Sequence, residues 1–303
     1  MLKELKKGFG RAAALIAGFA LTGCAAQTAE TPAASGAARP ALWQLADADT
    51  TIYLFGTIHA LPEGVEWRSP ALDQAMAASN ELVTEIDLRD AMAIAGAFTR
   101  LGLSPGLPPV VERVPENKRA ALRTAIAASP VPEAVLNRME TWAAAVTLAQ
   151  VLFQSAGLDA ERGVERVLTP DFTRRGATLS ALETADEQLG FFDGLPEEAQ
   201  RAFLVGVLES PEDVRTQFDA MLRAWRSGDT RAIGRTFNEE ETMSADLRRI
   251  LLTQRNARWA EWLQRRLERP GTVFVAVGAG HLAGDDSVQD FLQQRGLRAR
   301  RVQ

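Results

Sequence analysis

The chain holds two histidines in 303 residues, His59 and His281, and both stand in the same setting. Each lies three residues past a glycine that closes an apolar run. The first is Thr51-Ile52-Tyr53-Leu54-Phe55-Gly56-Thr57-Ile58-His59, the second Thr272-Val273-Phe274-Val275-Ala276-Val277-Gly278-Ala279-Gly280-His281. A continuous apolar run ended by glycine reads as a buried strand leaving its sheet. The loop just beyond such a strand is where α/β sheets bind ligands. Neutral imidazole is the commonest metal ligand and the usual general base near neutral pH. A site needing three histidines is excluded by the count.

Carboxylates in apolar surroundings are the natural companions. Glu85 lies within the strand-like stretch Glu81 to Leu88, where alternation puts Val83, Glu85 and Asp87 on one face. Burying it is costly unless something pairs with it. Glu183 ends the strand-like run Thr178 to Leu182, and Glu165 sits in Gly163-Val164-Glu165-Arg166-Val167. Asp285 and Asp286, close to His281, read as caps of the next helix. Arg255 is the candidate for balancing charge. On a helical wheel Leu247, Leu251, Trp259 and Trp262 centre near it, but Arg248 and Arg258 fall on the same broad face. The wheel alone does not select Arg255, and a stem lining a packed core edge accounts for the pattern more simply.

The elements that must position these side chains follow from patterning. Leu42 to Leu45, a turn at Asp47 to Thr50, and Thr51 to Phe55 form a predicted hairpin. Ser69-Pro70 caps a helix running to Ser79. Residues 90 to about 228 are mostly helical, over Pro115–Ala128, Glu133–Gly157, Pro196–Glu209 and Pro211–Ser227, with the strand Thr178–Leu182 among them. One long helix is expected from Ser244 to Leu267, then the strand Thr272–Val277, a helix Asp286–Gln294, and a last strand Arg298–Val302. Strands at both ends with helices between them predict an α/β (α+β) fold, its central mixed sheet carrying a large helical insertion at about 90–228.

Composition narrows the class. Hydrophobic residues are 46% and charged residues 24%, too apolar for disorder and too interrupted for a multi-span membrane protein. A net charge of -5 argues against nucleic acid as a partner. Gly278, Gly280 and Gly284 miss the dinucleotide spacing by one residue. No phosphate loop, H-E-x-x-H or G-x-S-x-G stands in the sequence.

Residues 1–23 predict a secretory leader. Lys3, Lys6, Lys7 and Arg11 precede the apolar run Ala12 to Leu21, which is too short to span a bilayer. Leu21-Thr22-Gly23-Cys24 resembles the lipobox of bacterial lipoproteins. The resemblance implies cleavage before Cys24 and lipidation of that cysteine, the sole thiol in the chain. Ala25, where an Asp would signal retention, implies the outer membrane, with the body facing the periplasm. Residues 24–40, rich in Ala, Thr and Pro, read as a flexible tether, and 41–303 as the folded domain.

On these residues the sequence resembles the TraB/GumN family, bacterial relatives of the animal Tiki metalloproteases. The motifs are Leu42-Trp43, Gly56-Thr57-Ile58-His59, Glu85-Ile86-Asp87, Gly163-Val164-Glu165, Leu182-Glu183-Thr184 with Gln188, Arg255-Asn256 with Trp259, and Val277-Gly278-Ala279-Gly280-His281-Leu282. The resemblance implies a metal-dependent hydrolase, a peptidase, in which His59, His281 and Glu85 bind one divalent ion (zinc, manganese or cobalt). Three protein ligands leave a position for water. Glu183 or Glu165 is then the expected general base, and Arg255 the group facing a developing oxyanion. Two histidines and a carboxylate also describe the iron site of non-haem oxygenases. The alternative from another class is a non-enzymatic envelope protein that binds a ligand or partner in the same cleft. Neither substrate nor oligomeric state is legible.

Overall fold

The computed structural model describes residues 37–238 and 245–303. The leader, Cys24 and most of the tether lie outside the described residues. The first hairpin is β1 (Leu42–Ala46) and β2 (Thr50–Thr57), antiparallel with Leu42 opposite Phe55. Helix α1 (Pro70–Ala78) starts at Ser69, whose hydroxyl accepts from the Leu72 amide at 3.2 Å. Then come β3 (Glu81–Thr84) and helices α2 (Ala91–Gly102), α3 (Arg119–Ala128), α4 (Glu133–Leu136), α5 (Thr141–Ser155) and α6 (Val164–Arg174). After β4 (Thr178–Ala181) follow α7 (Ala185–Asp193), α8 (Glu197–Gly206), α9 (Pro211–Arg226), α10 (Thr230–Asn238) and α11 (Ala245–Arg248). A π-helical turn, Arg249–Thr253, leads into α12 (Gln254–Leu267). The chain closes with β5 (Gly271–Gly278), α13 (Val288–Gln294) and β6 (Arg300–Arg301).

The six strands form one mixed sheet in the order β4-β3-β5-β2-β1-β6. β4, β3, β5 and β2 are mutually parallel; β1 runs against β2 and β6 against β1. The fold is therefore α+β, with helices in place of the crossovers that parallel strands require. Side chains alternate across β5. Val273, Val275 and Val277 join Trp259, Leu263, Val288 and Leu292 on one face, under α12 and α13. Phe274 and Ala276 face the insertion, with Phe55, Phe172 and Trp225. Burial on both faces explains why β5 reads as a continuous apolar run rather than an alternating one.

Three expectations are corrected. The strand expected over Glu81 to Leu88 stops at Thr84, so Glu85 lies past its end. Asp87 has turned outward to Arg89 at 2.6 Å. The long helix expected to Leu267 does not wind evenly: it is continuous over 245–267 but holds a π turn at Arg249–Thr253. The helix after His281 is capped by Ser287, in a capping box with Asp290, not by Asp285 or Asp286. The strand expected within the helical insertion is present as β4 and returns to the sheet between the insertion's two halves.

Candidate functional site

Four parallel strands end at one edge of the sheet, in register: Thr84 pairs with both Ala181 and Ala276, and Thr57 with Gly278. Each delivers one residue there. His59 follows β2, Glu85 follows β3, Glu183 follows β4 and His281 follows β5. Parallel strands put their carboxyl ends on the same side, so four residues scattered over more than 220 positions meet in one place. From the helices, Glu165 comes from the first turn of α6, Gln188 from α7, and Arg255 and Asn256 from α12.

The loop after β2 is held from both sides. Trp225 Nε1 donates to the Gly56 carbonyl at 2.7 Å, and the Val164 amide donates to the Ile58 carbonyl at 3.0 Å. Glu165 then meets His59: its Oε1 is 2.7 Å from Nδ1 and also accepts from the Thr57 hydroxyl. With Nδ1–H directed to Glu165, Nε2 faces inward, 3.8 Å from Glu85 Oε1. His281 is oriented in the same manner. Asn256 Nδ2 donates to the Asp286 carbonyl at 2.7 Å, which leaves Asn256 Oδ1 as acceptor, 2.6 Å from His281 Nδ1. Its Nε2 is therefore unprotonated. It accepts from Arg255 Nη1 at 3.2 Å and also lies 3.8 Å from Glu85 Oε1. Trp259 packs on this ring with centroids 4.3 Å apart.

Glu85, only 8% exposed, is fully engaged. Oε1 accepts from the Gly278 amide at 2.7 Å; Oε2 accepts from Arg255 Nη2 at 2.6 Å and Gln188 Nε2 at 3.1 Å. A side chain on Gly278 would stand 3.0 Å from His59 Nε2 and 3.2 Å from Glu85 Oε1, so that glycine leaves room for both. Arg255 spends all five N–H donors. Nε bonds Glu183 Oε1 at 2.9 Å, Nη2 bridges Glu85 and Glu183 Oε2 (2.8 Å), and Nη1 bonds His281 and the Leu251 carbonyl. The Leu251 carbonyl belongs to the π turn. Trp259 Nε1 adds a bond to Glu183 Oε1 at 3.0 Å, and Gln188 Nε2 one to Oε2 at 3.3 Å.

The charges follow from this wiring. Burial alone would raise the Glu85 pKa, but Arg255 above all, with both imidazoles, holds it well below the usual carboxylate range. Burial pushes His281 down to about 3, and Arg255 adds to the shift. Burial opposes charge on His59 too, yet the Glu165 carboxylate, by charge and hydrogen bond, and then Glu85 raise it to about 9. Two histidines in matching sequence settings are thus one neutral and one cationic. Arg255 is held further above its ordinary range despite burial, by Glu85 and Glu183.

All six residues singled out in the sequence converge here: His59, His281, Glu85, Glu165, Glu183 and Arg255. Sequence reasoning gave no role to Thr57, Asn256, Gln188, Trp259 or the Gly278 amide. All five are in the motifs quoted above with no assigned role, because nothing in one dimension says which acceptor each will reach. The expectation for the lipid anchor falls on residues outside those described. Among the described residues, no helix is long and apolar enough to cross a membrane.

The fold and site define a mixed α/β protein with a buried imidazole–carboxylate–guanidinium cluster at the carboxyl ends of its parallel strands. The chain belongs to the TraB/PrgY/gumN family, whose model matches residues 41–301. It is 24% identical over 273 residues to an uncharacterized protein of Treponema pallidum (strain Nichols), covering 84% of this chain and 80% of that one. It is also 24% identical over 241 residues to the uncharacterized protein YbaP of Escherichia coli (strain K12), covering 80% and 87% respectively. No solved structure matches the chain.

Proposed function

We propose that the protein is a metal-dependent hydrolase of the cell envelope, acting on peptides, with one divalent ion held by His59, His281 and Glu85. The observation that carries this reading is the convergence of two imidazole Nε2 atoms on one oxygen, Glu85 Oε1, each at 3.8 Å. Both Nδ1 atoms are tied back, to Glu165 and Asn256, as the outer partners of metal-bound histidines are.

Among the described residues, no group of three or more His, Cys, Asp or Glu side chains stands close enough to hold a metal ion as placed. Bonds of about 2.0–2.1 Å in a tetrahedral site set neighbouring donors about 3.3 Å apart, so each imidazole stands about half an ångström wide of that spacing. The His281 Nε2 lone pair is held by Arg255 Nη1 at 3.2 Å, a contact that a cation would replace. Charge favours one: the buried carboxylates Glu85, Glu165 and Glu183 stand against buried Arg255 and, without metal, the cationic His59, an excess of one negative charge, and a cation would bind as His59 gives up its proton. Buried charge without a partner is strongly unfavourable, and a divalent cation offsets the excess.

A bound zinc, manganese or cobalt ion would supply Lewis acidity and a nucleophilic water at neutral pH. The chain's own groups do the rest. Glu165 orients His59 through Oε1, while its Oε2 carries no hydrogen bond among the described residues and is the carboxylate oxygen left to take a proton. Both oxygens of Glu183 are occupied by Arg255, Trp259 and Gln188, which makes it the anchor of Arg255 rather than the base. Arg255 holds Glu85 ionised and directs Nη1 at the site, where it can face a developing oxyanion. The basic leader, its apolar run and Leu21-Thr22-Gly23-Cys24 support anchoring through lipidated Cys24 at the outer membrane, with the body facing the periplasm.

Elemental analysis of purified protein tests the reading. Wild type is expected to hold about one equivalent of zinc, manganese or cobalt, His59→Ala and His281→Ala little, and Asn256→Ala to bind about 10–100-fold more weakly. Equally little metal in wild type and variants ends the hydrolase reading and leaves the cleft as a pocket for a ligand or partner.

A further inference from the structure

We propose that Arg258 recognises a carboxylate on the substrate, so that this site takes acidic peptides or free peptide C-termini. The inference rests on the hydrolase reading for what is cleaved, not for what is bound.

Arg255 and Arg258 are one turn apart on α12 and so share a face. Both guanidinium groups lie over the same ring, Phe191 of α7, at 5.5 and 5.0 Å from its centroid. Their situations differ in one respect. Arg255 is buried and its five donors are spent inside the cluster. The Arg258 side chain is 49% exposed, and its guanidinium makes no hydrogen bond among the described residues. Its nearest carboxylate oxygen, Glu183 Oε1, is 3.9 Å away, beyond hydrogen-bond reach. That oxygen already accepts from Arg255 Nε and Trp259 Nε1.

The result is a flat cation fixed from beneath by an aromatic ring, with its donors unspent, at the rim of a catalytic cluster. Aromatic stacking lowers the cost of ordering a guanidinium, and its fork matches a carboxylate with two parallel hydrogen bonds. The setting favours a monoanion. The Glu183 carboxylate behind Arg258 repels a dianionic phosphate more than a carboxylate. The rim is also close to the chemistry: Glu183 and Glu85 share the same donors, Arg255 Nη2 and Gln188 Nε2. Arg258 thus stands one carboxylate away from the residue on which the imidazoles converge.

The test reads binding, not turnover. The probes are acetylated, amidated hexapeptides with a single Glu moved along the chain, each paired with its Gln counterpart. A further pair differs only in a free or amidated C-terminus. Calorimetric titration into EDTA-treated protein is expected to show one Glu position, or the free C-terminus, binding about tenfold more tightly than its neutral partner, as a charge-assisted pair gives. Which pair responds identifies the source of the carboxylate. In Arg258→Gln the preference falls below twofold while the neutral peptide binds as before; in Arg258→Lys part of it survives. A wild type that prefers no acidic probe, or an Arg258→Gln protein that keeps the preference, overturns the proposal. Metal analysis of the same preparations tests the hydrolase reading separately, so the two fail independently.

Discussion

Gly163 stands where the loop after β2 crosses the start of α6, and the sign of replacing it with alanine follows from space alone. Its φ is -54°, a value open to any residue, so conformational freedom is not why glycine is there. A Cβ at this position would sit on the His59 carbonyl oxygen, 2.7 Å from the carbonyl carbon and 3.0 Å from the Ala160 oxygen. Neither strand of chain yields easily. The Val164 amide bonds the Ile58 carbonyl at 3.0 Å, and Leu61 and Asp159 exchange two backbone bonds at 3.1 Å on the other side. Overpacking costs about 1–3 kcal/mol, and losing a buried backbone bond about 1–3 kcal/mol more. Gly163→Ala is therefore expected to lose roughly 2–5 kcal/mol, which at about 2 °C per kcal/mol lowers Tm by roughly 4–10 °C. The same change at Gly190, inside α7 with nothing within 4 Å of the added atom, is expected to gain about 0.5–1 kcal/mol from helix propensity. Urea and thermal unfolding of both variants beside wild type measure the contrast. If Gly163→Ala melts within about 2 °C of wild type, the close approach that seats His59 is not the constraint argued here.

The remaining predictions concern charge and anchoring. In metal-free protein the His59 pKa is raised from 6.5 to about 9. The stabilisation from its ion pair is then complete below about 6.5 and lost as pH rises through about 9, because the folded state binds the proton more tightly. With 23% of the side chain exposed, urea titration of EDTA-treated protein is expected to lose about 1–3 kcal/mol between pH 7 and pH 10, and His59→Gln to lose much less; equal slopes would refute the Glu165–His59 pairing. Cys24→Ser is expected to abolish incorporation of radiolabelled palmitate and to release the protein from the membrane fraction; unchanged labelling would remove the anchor.

Much of the site was legible because strand ends announce themselves. An apolar run, a glycine and then a histidine needs no third dimension to read, and two such runs point to two ends of one sheet. Glu85 stands out because a carboxylate in an apolar stretch must have a partner. The pattern overextends its strand, since Ile86 and Leu88 continue the alternation while the backbone has already turned at Glu85. Arg255 shows the opposite failure. A wheel drawn from Leu247 to Trp262 assumes regular winding, and the π turn at Arg249–Thr253 shifts the phase between its halves. The wheel therefore could not separate the guanidinium inside the cluster from the one on the rim.

The sequence by itself determined which side chains had to find partners: two histidines, three carboxylates and an arginine placed where apolar neighbours exclude water. It also determined the alternation of strands and helices from which a mixed sheet follows, since burial periodicity is a local property of the chain. Only the tertiary structure decided who partners whom. The parallel register of β2, β3, β4 and β5 brings residues from 59 to 281 to one edge. There Glu165 makes one imidazole cationic while burial and Arg255 keep the other neutral. Those charge states depend on distances of a few ångströms between distant segments, and electrostatic coupling at that range has no signature along the chain.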